Sequence, residues 1–521
     1  MIKRLILILL PFLLFISCKP DQNETAAEHE YGGTLKIAYY KEPASLNPLN
    51  TSDSVSTYIS TLLFNSLIKY DEERKPYGDL AESWTVSDDG LIWTFKLQDD
   101  VTFHDGTSLT SRDVLFTYRK HLESRLSQRT LTVVENITAP DDFTIQFTLA
   151  YPLASFEMQL TRSIIPEHIY SDAERADAVF RRPVGSGPFK FVSWTEGRIE
   201  LAANKEYRLG RPYLDGIAFI RFMNRDAAWA ALLTKDIDLA EELDELDYRV
   251  LAREEQDFQV YSYIANFYYA LVFNFSDPVF SDYKMRRTFQ ACVDREDLIK
   301  NTIIGGHGIT TTGPLHPDTD FYNKDIRLQP FDPEKADRLL EEQGWKNTDP
   351  DPFLEKDGKD FTFSILSEEG DILKDELLIR LKWQFLRRGI KTEAASITAG
   401  ELFGKRLIPG NFQAALLRFN YGGDPDQSLS LFWHSENIGI TNLSRYKNKD
   451  VDKLIEDARG EMDRTVRREQ YRKVHRIIAD EVPAVFLFYI KKNIAVSSRV
   501  GGIKIFPGSY HQTIPAWYIK N

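Results

Sequence analysis

The sequence predicts an α/β fold spread over two or three domains, on three observations. Short runs alternate apolar and polar residues with period two, as half-buried strands do. Segments with a cap residue and one apolar face, read as helices, stand between many of them. The length, 521 residues, is more than a single hydrophobic core organises.

At the amino terminus, Lys3 and Arg4 precede an apolar run from Leu5 to Ile16. As a helix that run would be roughly 18 Å long, short of the roughly 30 Å hydrocarbon core of a bilayer. Residues 1–17 therefore read as an export signal rather than a membrane span. The run ends in Phe15-Ile16-Ser17-Cys18, which resembles the lipobox of bacterial lipoproteins, with Phe15 where that motif more often has Leu. On that reading Cys18 is the lipidated first residue of the mature chain and anchors it to a membrane; plain secretory cleavage is the alternative. Residues 18–30 lack periodicity and carry mostly acidic charge, as a flexible tether does. The expected location is the cell envelope, in the periplasm or at the cell surface.

From Gly33 onward, strands and helices mix without an internal repeat. A first strand leads to Tyr39 and Tyr40, and strand patterns recur at Ile92 to Leu97, Phe143 to Leu149, Phe189 to Trp194 and Ile217 to Phe222. Others follow at Leu271 to Phe275, Phe361 to Leu366, Ala414 to Phe419 and Val485 to Ile490. Long segments separate many of these, which favours crossovers over hairpins. Thr110-Ser111-Arg112-Asp113 is a capping-box-like helix start, with Val114, Leu115, Tyr118 and Leu122 on one face. Asp332-Pro333 opens another helix, which Gly344 ends. Val451, Leu454, Ile455, Ala458 and Met462 form one stripe and Val474, Ile477 and Ile478 a second, predicting two packed helices within 450–480.

Composition excludes several functions. The formal net charge is −13 and no basic run of five or more occurs, so nucleic acid is not an expected partner. Cys292, the second of two cysteines, lies in an apolar Phe289–Val293 stretch and reads as a buried, inert thiol. The nine histidines show no metal-site spacing, and His104 in Phe-His-Asp-Gly reads as structural. There is no Gly-x-Ser-x-Gly elbow and no phosphate-binding loop. Asp88-Asp89, Asp99-Asp100 and Asp141-Asp142 sit in turn-like surroundings, where solvated carboxylates are expected. No cofactor, metal or enzymatic activity is expected.

Leu80-Ala-Glu-Ser-Trp-Thr-Val-Ser-Asp-Asp-Gly90 is followed by Trp93-Thr-Phe-Lys-Leu97, Val101-Thr-Phe-His-Asp-Gly106 and Leu109-Thr-Ser-Arg-Asp-Val114. Glu42-Pro43-Ala-Ser-Leu-Asn-Pro48, Val184-Gly-Ser-Gly-Pro-Phe-Lys190, Val293-Asp-Arg-Glu-Asp-Leu298, Asp332-Pro-Glu-Lys-Ala336 and Val482-Pro-Ala-Val485 extend the series. In this order the segments resemble the family 5 extracellular solute-binding proteins, the oligopeptide, dipeptide and nickel receptors of ABC importers. The resemblance implies a type II periplasmic binding protein: two lobes with an extra inserted domain around a ligand cleft. Lobe I would take 31–64, 182–275 and 490–521, domain II 65–181 and lobe III 276–489. Crossings at Leu271 to Asp277 and near Tyr489 would form a two-strand hinge. The implied protein is a monomer that delivers a peptide or related small solute to an ABC transporter permease.

The resemblance also implies site residues. The strand Leu417-Arg418-Phe419-Asn420-Tyr421, running into Gly422-Gly-Asp-Pro-Asp426, is similar to the segment that pairs with a bound peptide's backbone. In the peptide receptors an aspartate there holds the α-ammonium, and Tyr421 stands at its position. Either Asp424 or Asp426 reaches in, or the ligand has no free amino terminus; in the plainer reading both acids are solvated in a turn. Arg406, fifteen residues before Tyr421, faces a ligand carboxylate or solvent. One of Tyr39 and Tyr40 faces the crevice and the other the core, while Trp433 is a ligand wall or core. Because of Tyr421, a family member binding a sugar, metal chelate or haem is carried alongside the peptide reading, and an envelope hydrolase behind both.

Overall fold

A computed structural model describes residues 31–49, 53–124, 131–171, 180–241, 245–251, 253, 256–506 and 510–520. The export signal, Cys18 and the tether lie outside the described residues. An eleven-stranded mixed sheet runs through the molecule. Its spine is a pair of long antiparallel strands, Phe258–Phe273 and Ala484–Ser497. Their register runs regularly from Phe258↔Ser497 to Ile264↔Lys491, breaks, and resumes at Tyr268↔Tyr489.

On one side of the break, Ala484–Ser497 pairs with Leu239–Glu241, which leads to Thr34–Tyr39, Gly216–Arg221, Arg198–Ala203 and Phe189–Thr195. On the other side, Phe258–Phe273 pairs with Ala414–Asn420, which leads to Thr362–Glu368 and Lys391–Ile397. The two long strands lose register at Ile264–Tyr268, upstream of the Leu271 to Asp277 stretch expected to cross. Leu271 to Phe273 are already paired with Ala414 to Leu416 and buried beyond the break.

Apolar side chains gather accordingly. Leu35, Ile37, Phe189, Ile217, Leu239 and Ile494 pack together on the first side of the break. Leu271, Phe289, Phe363, Leu377 and Val485 cover one face of the far sheet, and Tyr268, Phe419, Trp433, Tyr471 and Phe486 the other. A separate antiparallel sheet, ordered Ala81–Val86, Ile92–Leu97, Thr144–Leu149 and Val134–Asp141, closes its own core of Trp93, Phe95, Tyr118, Phe147 and Phe156 under helix Ser111–Glu123.

The helix starts follow their caps. Thr110 and Asp113 exchange both capping-box hydrogen bonds. Asp332 caps Pro333–Glu342. Lys449–Gly460 and Arg464–Glu481 form the predicted pair, burying Val451, Ile455, Ala458, Val474 and Ile478. Met462 drops out of its stripe because it lies in the connection between them, exposed.

The Val184-Gly-Ser-Gly motif has a steric origin. A Cβ on Gly185 would fall 1.9 Å from the Leu63 carbonyl oxygen, and one on Gly187 2.5 Å from that of Leu62. His104 bridges the same loop: its Nε2 hydrogen-bonds the Gly187 carbonyl at 3.0 Å and Nδ1 accepts from the Gly185 amide at 3.2 Å. Cys292 is fully buried, and burial pushes its thiol up to about 12.

Candidate ligand cleft

Strand Ala414–Asn420 ends at the break, where the Tyr421 amide donates to the Asn266 carbonyl at 2.7 Å. The chain then turns through Gly422 and Gly423 into helix Pro425–Trp433. Gly423 has φ +89°, and a side chain there would also strike Met158 from across a cavity. Asp424 caps the helix and takes a bidentate pair of hydrogen bonds from Arg467, at 2.6 and 2.5 Å. Asp426 accepts from Arg459 at 3.1 Å and from Ser430 at 2.9 Å. Both acids are buried, so neither is the solvated turn carboxylate of the plainer reading.

This turn forms one wall of a cavity of about 320 Å³, with Thr319, Asp320, Phe321 and Arg464 beside it and Asn266 at its hinge end. The opposite wall belongs to the smaller sheet's body. Tyr70 and Arg74 come from the hairpin Ile68–Tyr70 and Pro76–Gly78, and Glu157 and Met158 from the 3₁₀ helix Ala154–Thr161. Burial, and then the negative charge of Asp424, push the Glu157 carboxyl up to about 7, against the pull of Arg467, Arg464 and Tyr70. Arg74, in a left-handed turn conformation at φ 58°, is lowered by burial.

A second cavity of about 340 Å³ opens at the carboxyl end of strand Thr34–Tyr39, where crevices of such sheets collect ligands. Tyr39, Tyr40, Lys41, Tyr58, Glu241 and Lys492 are among the residues that line it. Tyr39 donates to Glu42 at 3.1 Å, Tyr40 to the Glu241 carbonyl at 2.9 Å, and Tyr510 to the Glu241 carboxylate at 2.6 Å. The break in the spine thus borders both cavities, through Asn266 in the first and Lys492 in the second.

Of the residues singled out from the sequence, Tyr421 and Asp424 meet at the first cavity and Tyr39 and Tyr40 at the second. The others line neither. Trp433, 1% exposed, packs among Phe419, Tyr446 and Phe486, and is core rather than wall. Phe419 stacks on Tyr268 with ring centroids 5.3 Å apart. Arg418 and Asn420 are exposed on the strand's other face, Arg418 over the Phe267 ring at 5.2 Å. Arg406, in the π-helical turn Leu402–Leu407, is exposed and pairs with Glu401 at 3.5 Å. Arg74, Glu157 and Asn266 carried no sequence signal: Arg74 reads as one charge in a polar turn and Glu157 as one acid in an apolar stretch.

Residues 75–439 match the pattern of the bacterial extracellular solute-binding proteins, family 5. The chain belongs to that family. This solute-binding protein is 30% identical to the oligopeptide-binding protein AppA of Bacillus subtilis, over 96% of its own length and 94% of AppA. The structure of AppA in complex with a nonapeptide superposes with a TM-score of 0.73, covering 95% of this chain and 100% of AppA's. Heme-binding protein A of Haemophilus influenzae is 27% identical over 95% of the solute-binding protein and 94% of its own chain. HbpA2 from Haemophilus parasuis, at 21% identity, shares the fold with a TM-score of 0.85, covering 94% of this chain and 100% of its own. The α/β binding-protein fold expected from the sequence is the one observed. Among the described residues, no helix is long and apolar enough to cross a membrane, and no group of His, Cys, Asp or Glu is arranged to hold a metal ion.

Proposed function

We propose that this protein is the receptor of an ABC importer that captures a peptide-like solute by closing two lobes around it and passes it unaltered to a permease. The observation that carries this is the break in the two crossing strands, bordered by a cavity on either side. Where the two long strands lose register with each other, φ and ψ can change without disrupting the core on either side. In this reading lobe I comprises residues 31–64, 182 to about 265 and 490–521, domain II 65–181, and lobe III the segment up to 489. Similarity to a nonapeptide-bound AppA supports a peptide as the solute class. The protein acts by binding, not by catalysis, as a monomer held at the envelope through a lipid on Cys18.

Small-angle scattering of the mature protein, alone and with mixed short peptides, tests this. A fall in radius of gyration on peptide addition, with a raised melting temperature, is the expected result. A particle indifferent to every peptide removes the reading. A second reading, a non-peptide solute, is favoured by Tyr421, which brings a hydroxyl and no carboxylate to the hinge end of the cavity. Native mass spectrometry of protein purified from its own host separates the two by the mass that co-purifies.

A further inference from the structure

Charged side chains line the first cavity. Among them are Asp320, Asp424 and Glu157, the first two already paired with Arg464 and Arg467. Beside Asn266, at the break in the long strands, stands Arg74, which makes no ion pair among the described residues. Its guanidinium makes one hydrogen bond among the described residues, from a terminal nitrogen to the Asn266 side-chain oxygen at 3.3 Å, and its Nε is buried with no partner. The neighbouring Glu73 is occupied by Lys75, and Asp318 is exposed. Tyr421 is tied to the same Asn266 through its backbone; its buried hydroxyl has Thr319 beside it on the accepting side and no acceptor for its own proton in hydrogen-bond geometry. A guanidinium and a phenol therefore face one space, both supported by Asn266, and both with donor capacity unused.

A partly buried guanidinium is costly without a close counter-charge; Asp318 acts on Arg74 through its charge but makes no ion pair with it, and among the described residues no other carboxylate pairs with it. A solute carboxylate could take two N–H donors from the guanidinium and the O–H of Tyr421, the geometry for which a planar fork is suited. We infer that Arg74 and Tyr421 form the anion dock of the cleft, so that the solute must carry a carboxylate or similar anionic group directed at the hinge. This rests on the solute-binding reading and adds the charge of the ligand and its direction. Ligand engagement there would also tie the domain II hairpin to the crossing strand, coupling occupancy to the hinge.

The test is a binding panel in which every acid is paired with its own amide: short peptides with free and amidated carboxyl termini, peptides with Glu against Gln, and succinate and benzoate against their amides. Thermal shift finds binders and calorimetry gives affinities for the mature protein, Arg74→Gln, Arg74→Lys and Tyr421→Phe. The tightest acid is expected to lose about tenfold or more in its amide form and a similar factor in Arg74→Gln, with partial recovery in Arg74→Lys. The amide is expected to bind the parent and Arg74→Gln alike, which rules out a misfolded variant. Acid and amide binding the parent equally, or an acid preference surviving in Arg74→Gln, overturns the dock while leaving a peptide receptor intact. Arg74-dependent binding of succinate or benzoate with no peptide bound upholds the dock and removes the peptide reading. No binding by any acid removes the dock.

Discussion

At the scale of single residues, the cleft is governed by how buried charges are compensated. Asp424 and Arg467 form a two-donor pair with both side chains below 10% exposure. Removing one partner strands the other in low dielectric, so Asp424→Ala is expected to lower unfolding free energy by about 3 kcal/mol in urea titrations. Arg467→Met on top of it should cost little more. Glu157 gives a pH signature. Its carboxyl sits near 7 in the fold against an ordinary 4.5, surrounded by Asp424, Arg467, Arg464 and Tyr70. With the folded value raised, its contribution is fully present below about pH 4.5 and is lost as pH climbs to about 7. Glu157→Gln should therefore match the parent near pH 4.5 and exceed it by an amount on the order of 2 kcal/mol at pH 8, read from denaturant midpoints at both pH values. Equal stability of the two proteins at pH 8 would show that the carboxyl ionises freely.

At the scale of elements, local chemistry decides where segments begin and steric approach decides which glycines are required. The Thr110 capping box was legible because its partners lie three residues apart, and Thr110→Ala should cost about 1 kcal/mol. Gly185 was legible only as part of a motif; its reason is the Leu63 carbonyl, more than a hundred positions away. Gly185→Ala should fail to give soluble, cooperatively melting protein, because backbone rather than a movable side chain blocks the methyl. Trp433 marks the limit of reading a loop from its composition. It follows a ligand-like segment in sequence, yet helix Pro425–Trp433 turns it into the core. Trp433→Ala is expected to cost about 3 to 5 kcal/mol in stability while leaving the affinity of any binder in the panel within about twofold.

At the scale of the whole molecule, two long strands run past both cavities, with Asn266 lining the first and Lys492 the second. Ligand that binds only the folded, closed form should stabilise the protein by about 2.7 kcal/mol at one hundred times its dissociation constant. Calorimetric melting across a concentration series measures that. Both long strands were legible in the sequence, but the place where they lose register was legible in only one of them. Val485 to Ile490 ends at the break, whereas Leu271 to Phe275 is the far end of a strand that began at Phe258. The upstream part hid because Tyr261, Tyr263, Asn266 and Phe267 blur the period-two pattern where the strand passes between bodies.

By itself the sequence determined the fold class, the helix caps, the inert cysteine and the ordered series of motifs that marks the family. Those features depend on residues a few positions apart, or on the succession of segments, and both survive in a linear string. Only the tertiary structure decided which charges are compensated. Asp424 found Arg467, Asp426 found Arg459, and Arg74 found no ion-pair partner among the described residues. Electrostatic compensation inside a cleft is set by contacts between distant positions and by exclusion of water, and neither quantity is written in spacing or composition.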